Sequence, residues 1–483
     1  MPLTMLYFRS IALRKKDCKE NMKKFLLLLI VLLLLVGGGI YFTGFGLTYF
    51  EKAVPKVELF IEPMPNELPA IKVAVSDLDS ELKSLSVKAE QNGTVTDLLV
   101  KEFDSPVNKN EVLIPLSKFQ ALKEGTILVT AKVSDTSFWS NSSEVTLPIL
   151  IDFSAPRIQL LSLQHVAAQG GVEFVVYKAM DSNMKSHGVQ VGDYFFPGFQ
   201  AGAADLALNE QKDLQVTLFA LPLGYEFGTA GPFIRAEDTA GNVTTVPLHF
   251  RLEKKAQASV TMNLKDDFLQ RKNAELFPAY RRFAAEKGEQ LQEKPADMPD
   301  LVYQFRLVNQ NYRKLLDRKL LEISRASEQP RLWKETFIKP MGSATSSTFG
   351  EKRSYVYNGI DASGSVHNGL DLASVQADAV HAANDGIVAL AGEFGIYGNA
   401  VFVDHGLGLF SLYGHLSSIL VAVGDKITIN QEIGRTGQTG LAGGDHLHFE
   451  FRIREVPVTP IEWWDSKWIK DNIDGKLNEF KTK

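Results

Sequence analysis

Cysteine is almost missing: the 483 residues contain only Cys18. A disulfide within the chain is therefore impossible, and a metal site built on several thiolates is excluded. Any metal must sit on His, Asp or Glu. Charge of one sign is not in excess either. Lys and Arg number 52 against 57 Asp and Glu, a formal net charge of -5, and no long basic stripe lies outside the N-terminus. Nucleic-acid binding is set aside on that ground. What is present is the balance of folded domains plus one extra apolar segment, with 45% hydrophobic and 23% charged residues. At this length one core is too few, and about two to four domains are expected.

The extra apolar segment runs from Phe25 to Phe50 without a charged residue, and Phe25 to Val36 is a block of Leu, Ile, Val and Phe. At 1.5 Å per residue it can cross a hydrocarbon core of about 30 Å. Arg14, Lys15, Lys16, Lys19, Lys23 and Lys24 precede it, and such flanks stay on the cytoplasmic side. The reading is a basic cytoplasmic segment at 1–24 and a single-pass anchor at 25–50, with the body of the chain outside the cytoplasm. A cleaved secretory signal has the same basic and apolar regions, but no A-x-A site follows; the nearest small-residue patterns are Gly37 to Gly39 and Gly44-Phe45-Gly46.

Beyond the anchor the chain is mainly β. Ile71-Lys72-Val73-Ala74-Val75, and Ile127, Val129, Ala131 and Val133 with polar residues between, alternate as half-buried antiparallel strands do. Val172-Glu173-Phe174-Val175-Val176-Tyr177 repeats the habit. Ala236-Glu237-Asp238-Thr239-Ala240-Gly241-Asn242 parallels Val133-Ser134-Asp135 and Trp139-Ser140-Asn141. Two immunoglobulin-like β-sandwich modules are expected, at 55–153 and 155–253, acting as spacers. The period then becomes helical. Leu301, Phe305, Val308, Tyr312, Leu315, Leu316, Leu320 and Ile323 share one stripe, with Arg306, Arg313, Lys314, Asp317 and Lys319 off it. Pro295 and Pro299 separate this stretch from an earlier helix around Asp266 to Lys287, so a helical hairpin is expected at 264–330, either a packed spacer or a lid.

Six of the nine histidines fall between His367 and His448. In His446-Leu447-His448-Phe449-Glu450-Phe451-Arg452-Ile453 apolar and polar residues alternate, so His446 and His448 stand on one polar strand face while the apolar set faces a core. A solvated strand face would read the same way. In His367-Asn368-Gly369-Leu370-Asp371-Leu372, Gly369 indicates a turn into a strand that aims Asp371 away from its leucine neighbours. His367, Asp371 and His448 together offer two imidazoles and a carboxylate, which suits tetrahedral zinc with one position open for water. Leu412-Tyr413-Gly414-His415-Leu416 adds a further His beside a glycine that permits a bend.

From about Phe337 to Pro460 the chain resembles the lysostaphin-type, or LytM-type, zinc metallopeptidases of family M23. The H-x-x-x-D motif is His367 to Asp371, H-x-H is His446 to His448, and Y-G-H-L is Tyr413 to Leu416. Ala382-Ala383-Asn384-Asp385-Gly386, Tyr397-Gly398-Asn399, Val403-Asp404-His405-Gly406 and Val423-Gly424-Asp425 before Ile433-Gly434 support it. The resemblance implies a compact antiparallel β domain at 335–465, followed by a tail at 466–483. It implies one zinc ion held by His367, Asp371 and His448, a catalytic pair His415 and His446, and peptidoglycan stem or cross-bridge peptides as substrate. No H-E-x-x-H occurs, so proton transfer and oxyanion stabilisation fall to that pair. His405 and His381 read as structural, and His165, His187 and His249 carry no assignment. One departure is the stretch 351–365, longer than the loop usual before H-x-x-x-D, which would narrow specificity or shield the zinc. The runner-up function is a non-catalytic LytM-type regulator of cell-wall amidases. Degenerate members of that kind lack one or more of the five residues, and all five are here. A membrane-tethered adhesin would explain the β modules and the anchor but not the His/Asp arrangement.

Overall fold

The structure is a computed structural model that describes residues 21–39, 51–62, 64, 68–163, 165–226 and 231–481. Cys18, the basic residues from Arg14 to Lys19 and residues 40–50 of the expected anchor lie outside the described residues. Among the described residues one helix, Asn21–Gly39, is long and apolar enough to cross a membrane, with a mean hydropathy of 2.2. The chain divides into two compact units, Met1–Ser154 with Ala240–Asn242, and Ala155–Thr239 with Val243–Lys483.

In the first unit two antiparallel sheets enclose one core. Their orders are Lys56–Glu62, Ala70–Ser76, Lys109–Pro115 and Thr94–Glu102, Leu82–Gln91, Gly125–Asp135, Ser142–Ile151. The period-two positions Ile71, Val73, Val75, Leu85, Val87, Ile127, Val129 and Val133 form that core. Asn92 and Gly93, both at positive φ, close the hairpin between Gln91 and Thr94, the turn chemistry that suits the right-handed twist of its strands.

The second unit opens with two four-stranded sheets. Here alternation is not the rule: every residue from Val172 to Tyr177 is buried. The cause is a second covering layer. Residues 466–481 form short helical turns that bury Ile469, Ile473 and Leu477, and Lys476 reaches Glu173 and the carbonyl of Phe174. A strand covered on both faces has no exposed positions to alternate.

Next come two helical segments, Asp266–Glu286 and then Asp300–Arg306, a π-helical stretch Leu307–Tyr312 and Arg313–Ser324 without a break. They meet through Tyr280 and Tyr312, whose ring centroids are 5.6 Å apart. The remainder is built around an eight-stranded sheet. Its main path is Ala344–Ser347, Leu370–Ala373, Leu447–Ile453, Leu409–Leu416, Asn399–Asp404, Gly386–Glu393, Lys426–Ile427, and Val456–Val458 pairs with Leu447–Ile453. Alternate residues serve two cores. Val401, Val403, Tyr413, Phe449 and Phe451 pack with Phe337 and Trp463 on one face, while Ala400, Phe402, Phe410 and Leu412 pack against Tyr280, Tyr312 and Leu316 of the helices.

The stretch 351–365 is a β-hairpin rather than a loop, formed by Lys352–Tyr357 and Ile360–Val366 around Asn358 and Gly359, again both at positive φ. Lys352–Tyr357 also pairs in parallel with Ser259–Asn263, just before the first helix.

Trp463 is fully buried and meets Trp333, Phe337 and Phe451 at ring-centroid distances of 5.8, 5.4 and 5.6 Å. Replacing it by Ala leaves a cavity, so Trp463→Ala is expected to destabilise the second unit by about 3–5 kcal/mol. Urea unfolding followed by tryptophan fluorescence checks this, since Trp333, Trp464 and Trp468 report from the same unit.

Candidate metal centre

Asp371 and His448 face each other directly across adjacent antiparallel strands. His367 reaches them through the turn at Asn368 and Gly369. A Cβ on Gly369 would lie 2.3 Å from the carbonyl oxygen of Phe449, so only glycine lets the turn pass this close. The result is a tight triangle: His367 Nε2 to Asp371 Oδ1 is 2.9 Å, His448 Nδ1 to the same oxygen 2.9 Å, and His367 Nε2 to His448 Nδ1 3.1 Å. Zinc bonds of about 2.0–2.1 Å in tetrahedral geometry separate ligand atoms by about 3.3 Å. The triangle is within a few tenths of an ångström of that spacing, and the donor set of two imidazoles and one carboxylate fits zinc.

His415 arrives by a different device. On a regular strand it would share the face of Tyr413, which packs on Phe449 and accepts a hydrogen bond from the Ala383 amide. The register between Asn399–Asp404 and Leu409–Leu416 shifts here, with Asn399 opposite Leu416 and Val401 opposite Tyr413, and His415 takes a φ of +64°. This bulge turns His415 to the other face. Its ring centroid lies 4.9 Å from that of His446 and 5.7 Å from that of His448. His446 is held at the mouth by an isolated bridge to Gly437 and has its Nε2 3.6 Å from Asp371 Oδ1.

Each of the four rings is committed at one nitrogen. His367 Nδ1 faces the carbonyl of Thr348 at 3.0 Å, His415 Nδ1 that of Thr439 at 2.8 Å, and His446 Nδ1 that of Gly444 at 2.9 Å. His448 Nε2 faces Glu450 Oε1 at 2.7 Å. Carbonyl and carboxylate oxygens only accept, so each of these nitrogens carries a proton, and in the neutral ring the opposite nitrogen keeps its lone pair. For His367, His446 and His448 that opposite nitrogen lies within 3.6 Å of Asp371 Oδ1.

The electrostatics follow from burial and pairing. Burial opposes the charge on Asp371, but pairing with His367, His446 and His448 outweighs it and holds the carboxyl well below its usual range. Its second oxygen, Oδ2, accepts from Arg353 at 2.8 Å. Burial, with His446 and His448 nearby, pushes His415 well below the ordinary imidazole value, so it is neutral at pH 7. Burial also disfavours charge on His448, yet Asp371 and Glu450 on its two sides raise it to about 9.

A cleft of about 720 Å³ opens above these residues, with Arg353, Phe268, Arg271 and Tyr397 among its walls. Lys272 Nζ donates to the Gln438 carbonyl at 2.9 Å, and the Gly440 amide donates to Glu275 at 2.9 Å, so the first helix grips the loop that carries Thr439. His405 plays no part: its nitrogens meet the Asp385 carbonyl and Ser411 inside the core. The competing reading of a solvated strand face does not hold, since Glu450 and Arg452 are both 0% exposed. Sequence reading passed over Glu450, Arg452 and Arg353. The first two continue the two-residue step of His446 and His448, a signal available in the sequence.

In the metal-free protein, protons compete with a cation for His448 Nδ1. Metal affinity is therefore expected to rise about tenfold per pH unit from pH 7 toward 9 and then level off. The same raised value stabilises the metal-free fold below about pH 6.5, the ordinary imidazole value, and that stabilisation is lost as pH climbs through about 9. Competition titrations with a zinc chelator, and unfolding at several pH values, measure both trends.

Residues 365–460 match the family described as Peptidase family M23. Over 96 residues the chain is 42% identical to the DD-carboxypeptidase/endopeptidase Mpg of Neisseria meningitidis, a match covering 20% of this chain and 22% of that protein. It is 38% identical over 95 residues to the murein hydrolase activator EnvC of Escherichia coli, covering 20% and 23%. The chain thus spans about a fifth of the length of the curated relatives it matches. A crystal structure of a peptidase M23 from Pseudomonas aeruginosa, itself titled putative, aligns at 18% identity and a TM-score of 0.37, covering 62% of this chain and 95% of that one. With the ligand triangle and the four oriented imidazoles inside the matched span, the chain carries a peptidase family M23 domain toward its C-terminus.

Proposed function

We propose that the chain is a zinc-dependent endopeptidase that hydrolyses peptide bonds in peptidoglycan stems or cross-links, anchored in the cytoplasmic membrane of a bacterium by Asn21–Gly39 with its body on the outer side. The observation that carries this reading is the set of four imidazoles, each fixed at one nitrogen, around one ionised carboxylate. The similarity to Mpg supplies the substrate class. The two β modules serve as immunoglobulin-like spacers, and the helical hairpin as packing for the catalytic sheet.

His367 Nε2, Asp371 Oδ1 and His448 Nδ1 would hold the zinc. When bound, the ion supplies Lewis acidity and lowers the pKa of a water toward about 7. Neutral His415 presents Nε2 as an acceptor and takes a proton as water adds to the substrate carbonyl carbon. That proton returns to the amine nitrogen as the C–N bond breaks. His446, when protonated, donates from Nε2 to the carbonyl oxygen where negative charge develops. Asp371, with Oδ2 held by Arg353, takes no proton.

A second reading, a non-catalytic activator of murein hydrolases, draws on the similarity to EnvC over the same stretch. The complete set His367, Asp371, His415, His446 and His448 favours the enzyme.

Purified protein is expected to carry about one zinc per chain, and chelation is expected to abolish peptide release from cell-wall sacculi. His415→Ala keeps the metal and loses about 10²–10⁴-fold in turnover, whereas His448→Ala loses the metal. Zinc content and muropeptide mass analysis read both. A folded wild-type protein without metal or peptide release would move the assignment to the activator reading.

A further inference from the structure

Behind His448 the polar row of the strand continues into the helical segment. Glu450 Oε1 accepts from His448 Nε2 at 2.7 Å, and Glu450 Oε2 accepts from Arg452 Nε at 2.6 Å. Arg452 then leaves the catalytic sheet: its guanidinium donates to Asp317 Oδ1 at 3.0 Å and to the Tyr397 hydroxyl at 3.0 Å. Glu450 and Arg452 are fully buried, while the Asp317 side chain, on Arg313–Ser324, is 35% exposed. Neighbouring Leu315, Leu316 and Leu320 seat that helix against Ile396, Phe402, Phe410 and Leu412.

The charge pattern gives each group a task. A neutral ring with its proton on Nε2 needs an ionised acceptor behind it, or its Nδ1 lone pair is not directed at the metal. Glu450 is that acceptor, with Oε1 facing His448 Nε2 and Oε2 held by Arg452 Nε. Arg452 in turn is a buried guanidinium with only one carboxylate from its own strand. A planar fork with five donors is positioned by several acceptors, and those in reach are Glu450, the Glu455 carbonyl, Tyr397 and Asp317. Of these, Asp317 alone comes from outside the matched family span and alone brings a second negative charge.

We propose that Asp317 is a positioning residue of the metal centre, acting through Arg452 and Glu450 to hold the His448 ring with Nδ1 toward the metal, so that the helical segment before the peptidase domain is part of the zinc site. The inference rests on the zinc-peptidase reading above. It assigns a task to one charge off the apolar stripe.

The test uses the full chain with Asp317→Asn, which keeps size and polarity but removes the charge, and Glu450→Gln as the direct neighbour. Zinc dissociation constants come from chelator competition, and ligand geometry from the visible spectrum of the Co²⁺-substituted protein. Glu450→Gln is expected to weaken zinc binding by about 10–100-fold. Asp317→Asn, one guanidinium further away, is expected to weaken it by about three- to tenfold and to shift the Co²⁺ bands. Glu322→Gln, exposed on the same helix, should leave both unchanged. If Asp317→Asn lowers the melting temperature while the zinc constant and the Co²⁺ spectrum match the wild type, the residue is structural only and the proposal is overturned. A wild-type chain that binds no zinc would instead overturn the underlying functional reading, so the two failures are distinguishable.

Discussion

A carboxylate that must stay ionised while almost buried sets the terms for everything around it. Asp371 is 8% exposed, and an uncompensated charge there would cost several kcal/mol. The chain answers on both oxygens, with imidazoles paired around Oδ1 and the Arg353 guanidinium donating to Oδ2. Each of those imidazoles then needs its own partner, which is why Thr348, Gly444 and Glu450 are drawn in. The cluster is a hierarchy of buried polar groups, each present because the one before it would be unsatisfied.

Two faces of one sheet divide the work. Odd-numbered residues of Leu447–Ile453 pack into the Trp463 core and fix the strand, leaving the even-numbered ones free to carry chemistry. The even-numbered face is shielded by helices instead of water, so its hydrogen bonds act at low dielectric and its imidazole and carboxyl groups titrate away from their ordinary values. His415 joins that face only because its strand carries a bulge at Gly414 and His415 and a backbone at positive φ.

His367, Asp371, His415, His446 and His448, read as motif positions, come together in one cluster, and alternation in His446–Ile453 separated the core-facing residues from the polar row. What alternation could not reveal is that the second face is covered. The covering helix was visible as an apolar stripe from Leu301 to Ile323, but an amphipathic stripe does not say which sheet it meets. Arg306 and Asp317 were read as off-stripe residues. They bond instead to the Asp361 and Ala362 carbonyls and to Arg452. The hairpin at 351–365 carried its own signal in Asn358-Gly359, which read as a loop only because its length was judged against shorter relatives. Which of its side chains meets Asp371 depends on the parallel pairing with Ser259–Asn263, and no local pattern encodes that register.

That parallel pairing joins strands separated by about ninety residues of intervening chain, about half of it helical. Closing so long a loop is slow compared with forming a local hairpin. Arg353 sits on the strand thus joined, and the pairing that sets Asp371 opposite His448 joins strands of similar separation, 77 residues apart at that pair. Assembly of this cluster is therefore governed by long-range topology, because both the strand that carries Arg353 and the strand that carries His448 are fixed by partners distant in the chain.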